Sequence, residues 1–439
     1  MRPRGSSRSP PPPPTVVRVD RRPRGPAVDV AVTTPTFPLP GSSHRGPAPA
    51  LVRLREEDGP VVRLGVPGGG HAWLVCGYRE IRRVLEDPRF SRAASYAPGA
   101  PTFEGLFQAP PDMIVSLDPP DHTRLRSLAE QAFSAERIAG LRPRVRALVG
   151  DLLGAVAGGE GPVDLLGGFA DPLAYGVIGE LLGVPAADRP RFAAWIRALS
   201  QVGGPAAGAV AAREQLGAYM ADLVVRALAD HDAGRAAGTV LDALVAARDG
   251  TDRLTFDELV GLGYTLLGAG ADSSGAQLAN SVVVLLADHR ATWRRLGRRP
   301  KEVPAVVEEL LRTVNLNADD TTGLPRIALT DVELGGTTVP RGAAVFVALG
   351  SGNRDRAVFA APDERRFDRL GAPHLAFGHG VHRCLGAALV RLEMGEALTA
   401  LTRHHPEAAL AVGEDRLEWL PGNVNHRLRE LPVHLGRRA

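Results

Sequence analysis

From Thr255 onward, apolar residues recur at three- and four-residue spacing for about thirty positions, the period of one long helix. Thr255-Phe-Asp-Glu258 opens it with a capping box, and at roughly 1.5 Å per residue such a helix spans a domain. Its middle breaks the pattern. Ala269-Gly-Ala-Asp-Ser-Ser274 sets an acid and two hydroxyls inside the apolar stripe. Asp and Ser cost helix propensity there, so the position calls for a compensating role. Earlier in the chain the period falls to two. Residues 61–65 and 71–76 read as strands joined by a glycine turn at 68–70, with Cys76 an ordinary buried strand residue. Helical spacing returns at 78–87 and Pro88 ends it, while 91–113 has no period and reads as a loop. Residues 142–234 are helix-rich with small-residue turns.

Two shorter patterns bear on chemistry. Asp118-Pro-Pro-Asp-His-Thr-Arg-Leu-Arg126 announces a helix with Asp118 as its expected cap and proline in the first turn. His122 and Arg126 lie one turn apart on a single face, which spacing alone leaves solvated. Glu309-Leu-Leu-Arg312 is an i,i+3 pair off the apolar side defined by Val306, Val307, Leu310 and Leu311, so spacing alone places it on a surface.

Composition narrows the class. The chain has 439 residues, 44% of them apolar, enough for a sizeable core. Cys76 and Cys384 are its two cysteines, so no disulfide framework exists and a reducing compartment is expected. There is no uninterrupted run of 18 apolar residues, and the N-terminus lacks an apolar signal core. Residues 1–35 hold seven Arg against two Asp, hence +5, which leaves −2 of the chain's +3 for the other 404 residues. This Pro/Arg-rich segment cannot bury enough apolar surface to order itself, so a disordered extension is expected at 1–35 and a folded domain at 36–439.

The most constrained stretch is His374-Leu-Ala-Phe-Gly-His-Gly-Val-His-Arg-Cys-Leu-Gly-Ala-Ala388. If Cys384 is a metal-bound thiolate, each neighbour has a task. Gly378 and Gly380 let the backbone curl and turn N–H groups toward sulfur. A helix expected from Leu385 presents its positive end to the thiolate. Gly386 leaves room for a flat macrocycle, and Phe377 screens the metal–sulfur bond from water. His379, His382 and Cys384 could also be zinc ligands, or Cys384 a nucleophile beside histidine. The first has no second Cys nearby, and the second leaves the glycines unexplained.

The stretch from Phe377 to Gly386 resembles the Cys loop of the cytochrome P450 family, whose pattern Phe-Gly-x-Gly-x-His-x-Cys-x-Gly is complete here. Three more motifs follow in the family's order: the acid–alcohol motif at 269–274, Glu-x-x-Arg at 309–312, and Gly352-Asn-Arg-Asp355 in place of Ala-Asn-Arg-Asp. The resemblance covers residues 36–439. It implies a fold that is mainly α with small β-sheets, a helix-rich triangular prism with haem between the long central helix and the Cys-ligand helix.

The resemblance also implies roles. Cys384 would ligate the iron of haem b, with His122, Arg126, Arg326 and His382 on the propionates. Ala269, Gly270, Phe377, Gly378 and Gly386 would line the macrocycle. Asp272 and Ser273 would deliver protons for oxygen activation; the usual alcohol is threonine, and serine's hydroxyl is freer in rotation. Glu309 and Arg312 would be buried and closed by Arg366, with Arg365 as competitor. Substrate contacts are expected from Phe103 and Phe107, with Tyr96 and Met113, in the loop. Asn315 and Asn317 would add polar fixtures, and Asn423 would reach in from the tip of a final hairpin. Residues 195–219 fall where the family has mobile lid helices.

The implied activity is hydroxylation or epoxidation of a hydrophobic small molecule, a natural-product intermediate, with O₂. Electrons are expected from a ferredoxin and its reductase, since no flavin domain follows Ala439. A cytoplasmic bacterial monomer without nucleic-acid or membrane partners is expected, and the single lysine, Lys301, among many arginines agrees with a GC-rich genome. Two other readings stay open at this point: oxidative aryl coupling of a peptide-like or cyclodipeptide substrate, and a haem-binding sensor or carrier.

Overall fold

The capping box forms as its sequence demands. Glu258 N–H donates to Thr255 Oγ1 (3.2 Å) and Thr255 N–H donates back to Glu258 Oε2 (2.8 Å), starting a helix of 33 residues, Phe256–Asp288. Its second half is buried on all sides, which suits a helix running through a core rather than over one. The helices Asp171–Leu182, Arg189–Leu199, Ala206–Asp232 and Ala387–His404 surround it, and their apolar faces share one continuous hydrophobic core. The computed structural model describes residues 35–439 except 68, 102, 104–108, 159–160, 202–205, 247–253, 322–323, 370–372 and 437–439. The extension at 1–34 and Phe107 therefore lie outside the described residues.

Beside this helical body stands a five-stranded sheet in the spatial order Val61–Gly65, His71–Val75, Ala344–Val347, Arg326–Ala328, Phe90–Ser91. The pair His71–Val75 with Ala344–Val347 is parallel and the other pairings are antiparallel. A three-stranded sheet and a two-stranded hairpin complete the β structure among the described residues. Cys76 is fully buried at the end of its strand, where burial pushes its thiol up to about 12. No helix among the described residues is long and apolar enough to cross a membrane.

Glu309 and Arg312 depart from the reading that spacing alone gave. Both are buried, and they form a paired fork: Arg312 donates from Nε and Nη2 to the two Glu309 oxygens at 2.8 and 2.7 Å. Arg312 also donates to the carbonyls of Asn353 (2.7 Å) and Pro362 (2.9 Å), so it pins the coil that follows residue 352. Asn353 in turn accepts from Leu375 N–H through its side chain (2.6 Å). A chain of hydrogen bonds thus leads from Glu309 to the start of the cysteine loop. The residue that closes the pair is Arg369, not Arg366. Arg369 Nε reaches Glu309 Oε1 at 3.2 Å with its side chain 12% exposed. Arg366 gives only its backbone N–H to Glu309 (2.8 Å), and its side chain, 50% exposed, turns to Asp368. Arg365 faces Asp288 instead.

Candidate functional site

The cysteine loop is closed by its own backbone. Gly378 N–H donates to Leu375 O (2.8 Å), Arg383 N–H to Gly380 O (3.0 Å) and Cys384 N–H to Phe377 O (2.8 Å). Gly378 and Gly380 stand at φ of +66° and +69°, which residues with a Cβ rarely adopt. A Cβ on Gly380 would lie 2.2 Å from the carbonyl oxygen of Leu85, so glycine is what lets the loop rest on the end of helix Tyr78–Glu86. The expectation about the sulfur needs correcting here. The Gly378 amide is used by Leu375, and the amide directed at the Cys384 sulfur is that of Gly386. The following helix begins at Ala387 with Gly386 as its cap, two residues beyond the expected start.

Cys384 opens onto a cavity yet is walled by protein. Burial raises its thiol pKa, against the opposing pull of the Gly386 amide and of Arg126. The helix end therefore does not ionise it by itself; a coordinated metal cation would. His379 is not a partner in this. It pairs with Glu86 and Arg82 on the surface, and no group of three metal-ligating side chains occurs among the described residues.

The cavity lies between the central helix and the cysteine loop. Its two lobes, about 320 Å³ and 170 Å³, share Ser273, Ser274, His382, Cys384 and Val390. Asn315, Asn317, Arg326 and Phe377 face the larger lobe, and His122, Arg126, Ala269, Gly270 and Gly386 the smaller. The structure thus brings together residues drawn from five separate stretches of sequence.

Positive charge concentrates on this cavity. The rings of His122 and His382 stand 4.1 Å apart, and both pKa values fall. His382 is driven down to about 2 by burial first and then by His122, Arg326, Arg92 and Arg126. Arg326 is pushed down to about 9 by burial and by the neighbouring Arg92, with Asp118 opposing. The Asp118 carboxylate is already engaged by Ser91 Oγ and by the amides of Arg92 (2.8 Å) and Ala93 (3.2 Å). It does not cap the next helix, which opens at Asp121 after Pro120.

Sequence reasoning missed Arg92. It is buried, donates Nε to Val115 O (2.9 Å) and one terminal nitrogen to Pro325 O, and leaves Nη2 buried without a partner. His122 Nδ1 is likewise buried and unpartnered. Such donors call for an anion. A dicarboxylate macrocycle whose metal takes a soft sulfur ligand satisfies the cationic cluster and Cys384 together, and the two propionates of haem b fit that demand.

Asp272 and Ser273 sit where the central helix passes the cavity. Ser273 is half-exposed to it, and its hydroxyl donates to Ala269 O at 2.7 Å. Asp272 is buried behind; Asn425 Nδ2 donates to its Oδ2 at 2.8 Å, and Arg427 Nη1 lies 3.1 Å from its Oδ1. Asn425, not Asn423, is the hairpin-tip residue that lines the cavity. Asn423 is buried, bridges to Gln201 and accepts from the Asn425 amide at 3.0 Å. Phe103 is also elsewhere: its ring packs edge-on against Phe346 at 5.0 Å in the small core beside the five-stranded sheet.

Comparison with known proteins agrees with this geometry. The sequence profile described as Cytochrome P450 matches residues 283–405. The chain is 40% identical over 383 residues to the mycinamicin IV hydroxylase/epoxidase of Micromonospora griseorubida, covering 86% of this chain and 93% of that protein. Among solved structures it resembles the LnmA cytochrome P450 hydroxylase from the leinamycin biosynthetic pathway of Streptomyces atroolivaceus S-140. That match has a TM-score of 0.82 at 40% identity, over 91% of this chain and 99% of that one. It also resembles cytochrome P450mel 107F1, described as having biaryl coupling reactivity, with a TM-score of 0.80 at 33% identity, over 89% and 98%.

Proposed function

Because the chain belongs to the cytochrome P450 family, a bacterial monooxygenase whose cofactor is haem b, we propose that it oxidises a hydrophobic natural-product intermediate at a C–H or C=C bond. A ferredoxin and its reductase are the proposed electron source. The observation that carries this reading is the convergence on a single cavity of one thiol, one hydroxyl with an acid behind it, and Arg92, Arg126, Arg326, His122 and His382, of which Arg92 Nη2 and His122 Nδ1 are buried without a partner.

When bound, haem would supply the redox-active iron for the activation of O₂. Everything else is the work of the chain. Cys384 would hold the iron through sulfur, and the Gly386 amide would temper the charge on that sulfur. Phe377, with the Arg391 guanidinium 4.7 Å over its ring, would screen the Cys384 sulfur from water. His122, Arg126, Arg326 and His382, joined by Arg92, would hold the two propionates. Ala269 and Gly270 line the cavity with small side chains and would leave room for the macrocycle. Ser273 presents the proton-bearing hydroxyl at the cavity once it leaves the Ala269 carbonyl, and Asp272 resupplies it. Asn315, Asn317 and Asn425 are polar fixtures in a wall that is otherwise largely apolar, which suits a mostly hydrophobic substrate with a few polar groups.

A ligand-induced shift of the haem spectrum, screened over natural-product intermediates, identifies binders. Turnover of each binder with ferredoxin, reductase and NADH then reads the reaction from product mass. A gain of one oxygen is expected. Loss of two hydrogens would instead mark oxidative aryl coupling, the reading favoured by the likeness to P450mel 107F1. Binders that are never turned over would leave a sensor or carrier.

A further inference from the structure

Arg427 stands between two buried carboxylates. Its Nη2 donates to Asp171 Oδ2 and its Nη1 lies 3.1 Å from Asp272 Oδ1, with the three side chains 4%, 9% and 4% exposed. They come from three places: Arg427 from the C-terminal hairpin, Asp171 from the first turn of helix Asp171–Leu182, and Asp272 from the central helix. The seat is built for this. A Cβ on Gly275, one turn beyond Asp272, would lie 2.6 Å from Asp171 Oδ1, so glycine there admits the second carboxylate against the central helix. We propose that Asp171 and Arg427 are positioning residues that hold Asp272 and time its release toward Ser273. This rests on the reading of Asp272 as the acid given above.

Two carboxylates share a single guanidinium where water is excluded, which leaves one negative charge uncompensated when both are ionised. Burial raises the pKa of Asp171; Arg427 works against that, and Asp272 adds to it. Burial also disfavours the Arg427 charge, but Asp272 and Asp171 outweigh it and the guanidinium stays cationic. For Asp272 to turn to Ser273 it must let go of Arg427 and Asn425. An ionised Asp171 then keeps the guanidinium from being stranded without an anion. A protonated Asp171 cannot, so Arg427 stays with Asp272.

The groups facing this clamp are few. Tyr175, on the same helix as Asp171, has a buried hydroxyl without a partner, and Arg197 of helix Arg189–Leu199 acts on Asp171 electrostatically. Asn280 on the central helix donates to His426 O at 2.7 Å and holds the hairpin tip in place. The same tip is tied to the end of the helix Arg189–Leu199, since Val424 N–H donates to Ser200 O (3.0 Å). It is also tied to the cavity wall, since Ala318 N–H donates to Val424 O (3.1 Å). A substrate pressing on Asn425 therefore acts directly on the clamp around Asp272.

Three variants of the holoenzyme test this, each followed between about pH 5 and 9. Substrate-dependent NADH consumption should fall in the wild type as pH drops through the titration of Asp171, at a pH above the ordinary carboxylate range. Asp171→Asn, close in shape, mimics the protonated state: consumption should be about tenfold slower throughout and lose that acid limb. Arg427→Lys keeps the charge but cannot fork between two carboxylates. Its limb should also vanish, with the rate retained. Infrared spectra give a readout independent of turnover: Glu393 and Asp319, whose pKa values burial also raises, contribute bands common to both proteins, so the wild type should show one titrating protonated-carboxyl component more than Asp171→Asn. An unchanged limb in Asp171→Asn, or the same titrating carboxyl signal in that variant as in the wild type, overturns the proposal. Asp272→Asn is the separate control. If it does not slow consumption at all, the reading of Asp272 as the acid fails instead.

Discussion

Replacing Glu309 by Gln should weaken the fold and loosen the cysteine loop together. Glu309 accepts from four donors: Arg312 Nε (2.8 Å) and Nη2 (2.7 Å), Arg366 N–H (2.8 Å) and Arg369 Nε (3.2 Å). The substitution removes the charge, strands the Arg312 guanidinium in a site where its side chain is 2% exposed, and turns an amide donor toward donors. Breaking a buried pair in this way costs about 3–5 kcal/mol. Unfolding entropy of about 2.1 cal/mol/K per residue over about 400 folded residues is about 0.8 kcal/mol per degree, so the melting temperature should fall by about 4–6 °C. Circular dichroism melts with haem-to-protein ratios measure both effects. The bond chain from Arg312 through Asn353 to Leu375 means that haem retention should fall as well. Arg369→Met should cost an intermediate amount, while Arg366→Ala should change the melting temperature by less than about 1 °C because its side chain is exposed. A Glu309→Gln protein melting with the wild type, or Arg366→Ala costing more than Arg369→Met, would refute this account of the network.

Ser273→Thr should hold or improve the ratio of product to NADH consumed, because threonine narrows the rotamers of the hydroxyl; Ser273→Ala should raise peroxide release. Unchanged coupling in the alanine variant would leave the hydroxyl idle and shift the role to Ser274 or the substrate. Glu393 is buried and pushed up to about 8, so the folded state holds a proton that the unfolded state loses near 4.5. Stability should decline from about pH 5 to about 8, and Glu393→Gln should flatten that decline in denaturant titrations. Glu308 is the opposite case. Burial opposes its charge, but Arg391 and His374 hold its pKa down to about 2, so its contribution should be full above pH 4.5 and disappear toward about 2, and be absent in Glu308→Gln. Deleting residues 2–34 should leave haem content and melting temperature unchanged, whereas a deletion that takes Pro35 removes the carbonyl that accepts from Gly65 N–H (2.9 Å). A drop of several degrees in the shorter deletion would show that the extension packs.

What the sequence made legible was whatever local chemistry over-determines. The central helix announces itself through Thr255, Glu258 and its long apolar period, and the cysteine loop through glycines that close backbone contacts require, as Gly380 against Leu85 shows. Residues whose role depends on distant partners were not legible. Arg92 follows a two-residue strand in a loop, and nothing nearby indicates that its guanidinium will be buried beside Arg326. Asp171 and Arg427 are 256 positions apart and look like ordinary solvated charges until the hairpin folds onto the central helix. The choice between Arg366 and Arg369 turned on how a coil folds over Glu309. Asn423 and Asn425 differ only in how the hairpin tip turns, and just one of them faces the cavity.

The carbon-monoxide difference spectrum of the reduced protein reports which cysteine ligates the iron. Replacing Cys384 by Ala should abolish the thiolate-type absorption of that complex, since Cys384 is the cysteine whose sulfur opens onto the cavity. Replacing Cys76 by Ala, a buried residue of the five-stranded sheet region, should leave the absorption in place wherever the variant folds. A thiolate signature that survives the loss of Cys384, or that disappears with Cys76 while haem remains bound, would contradict the assignment of the site.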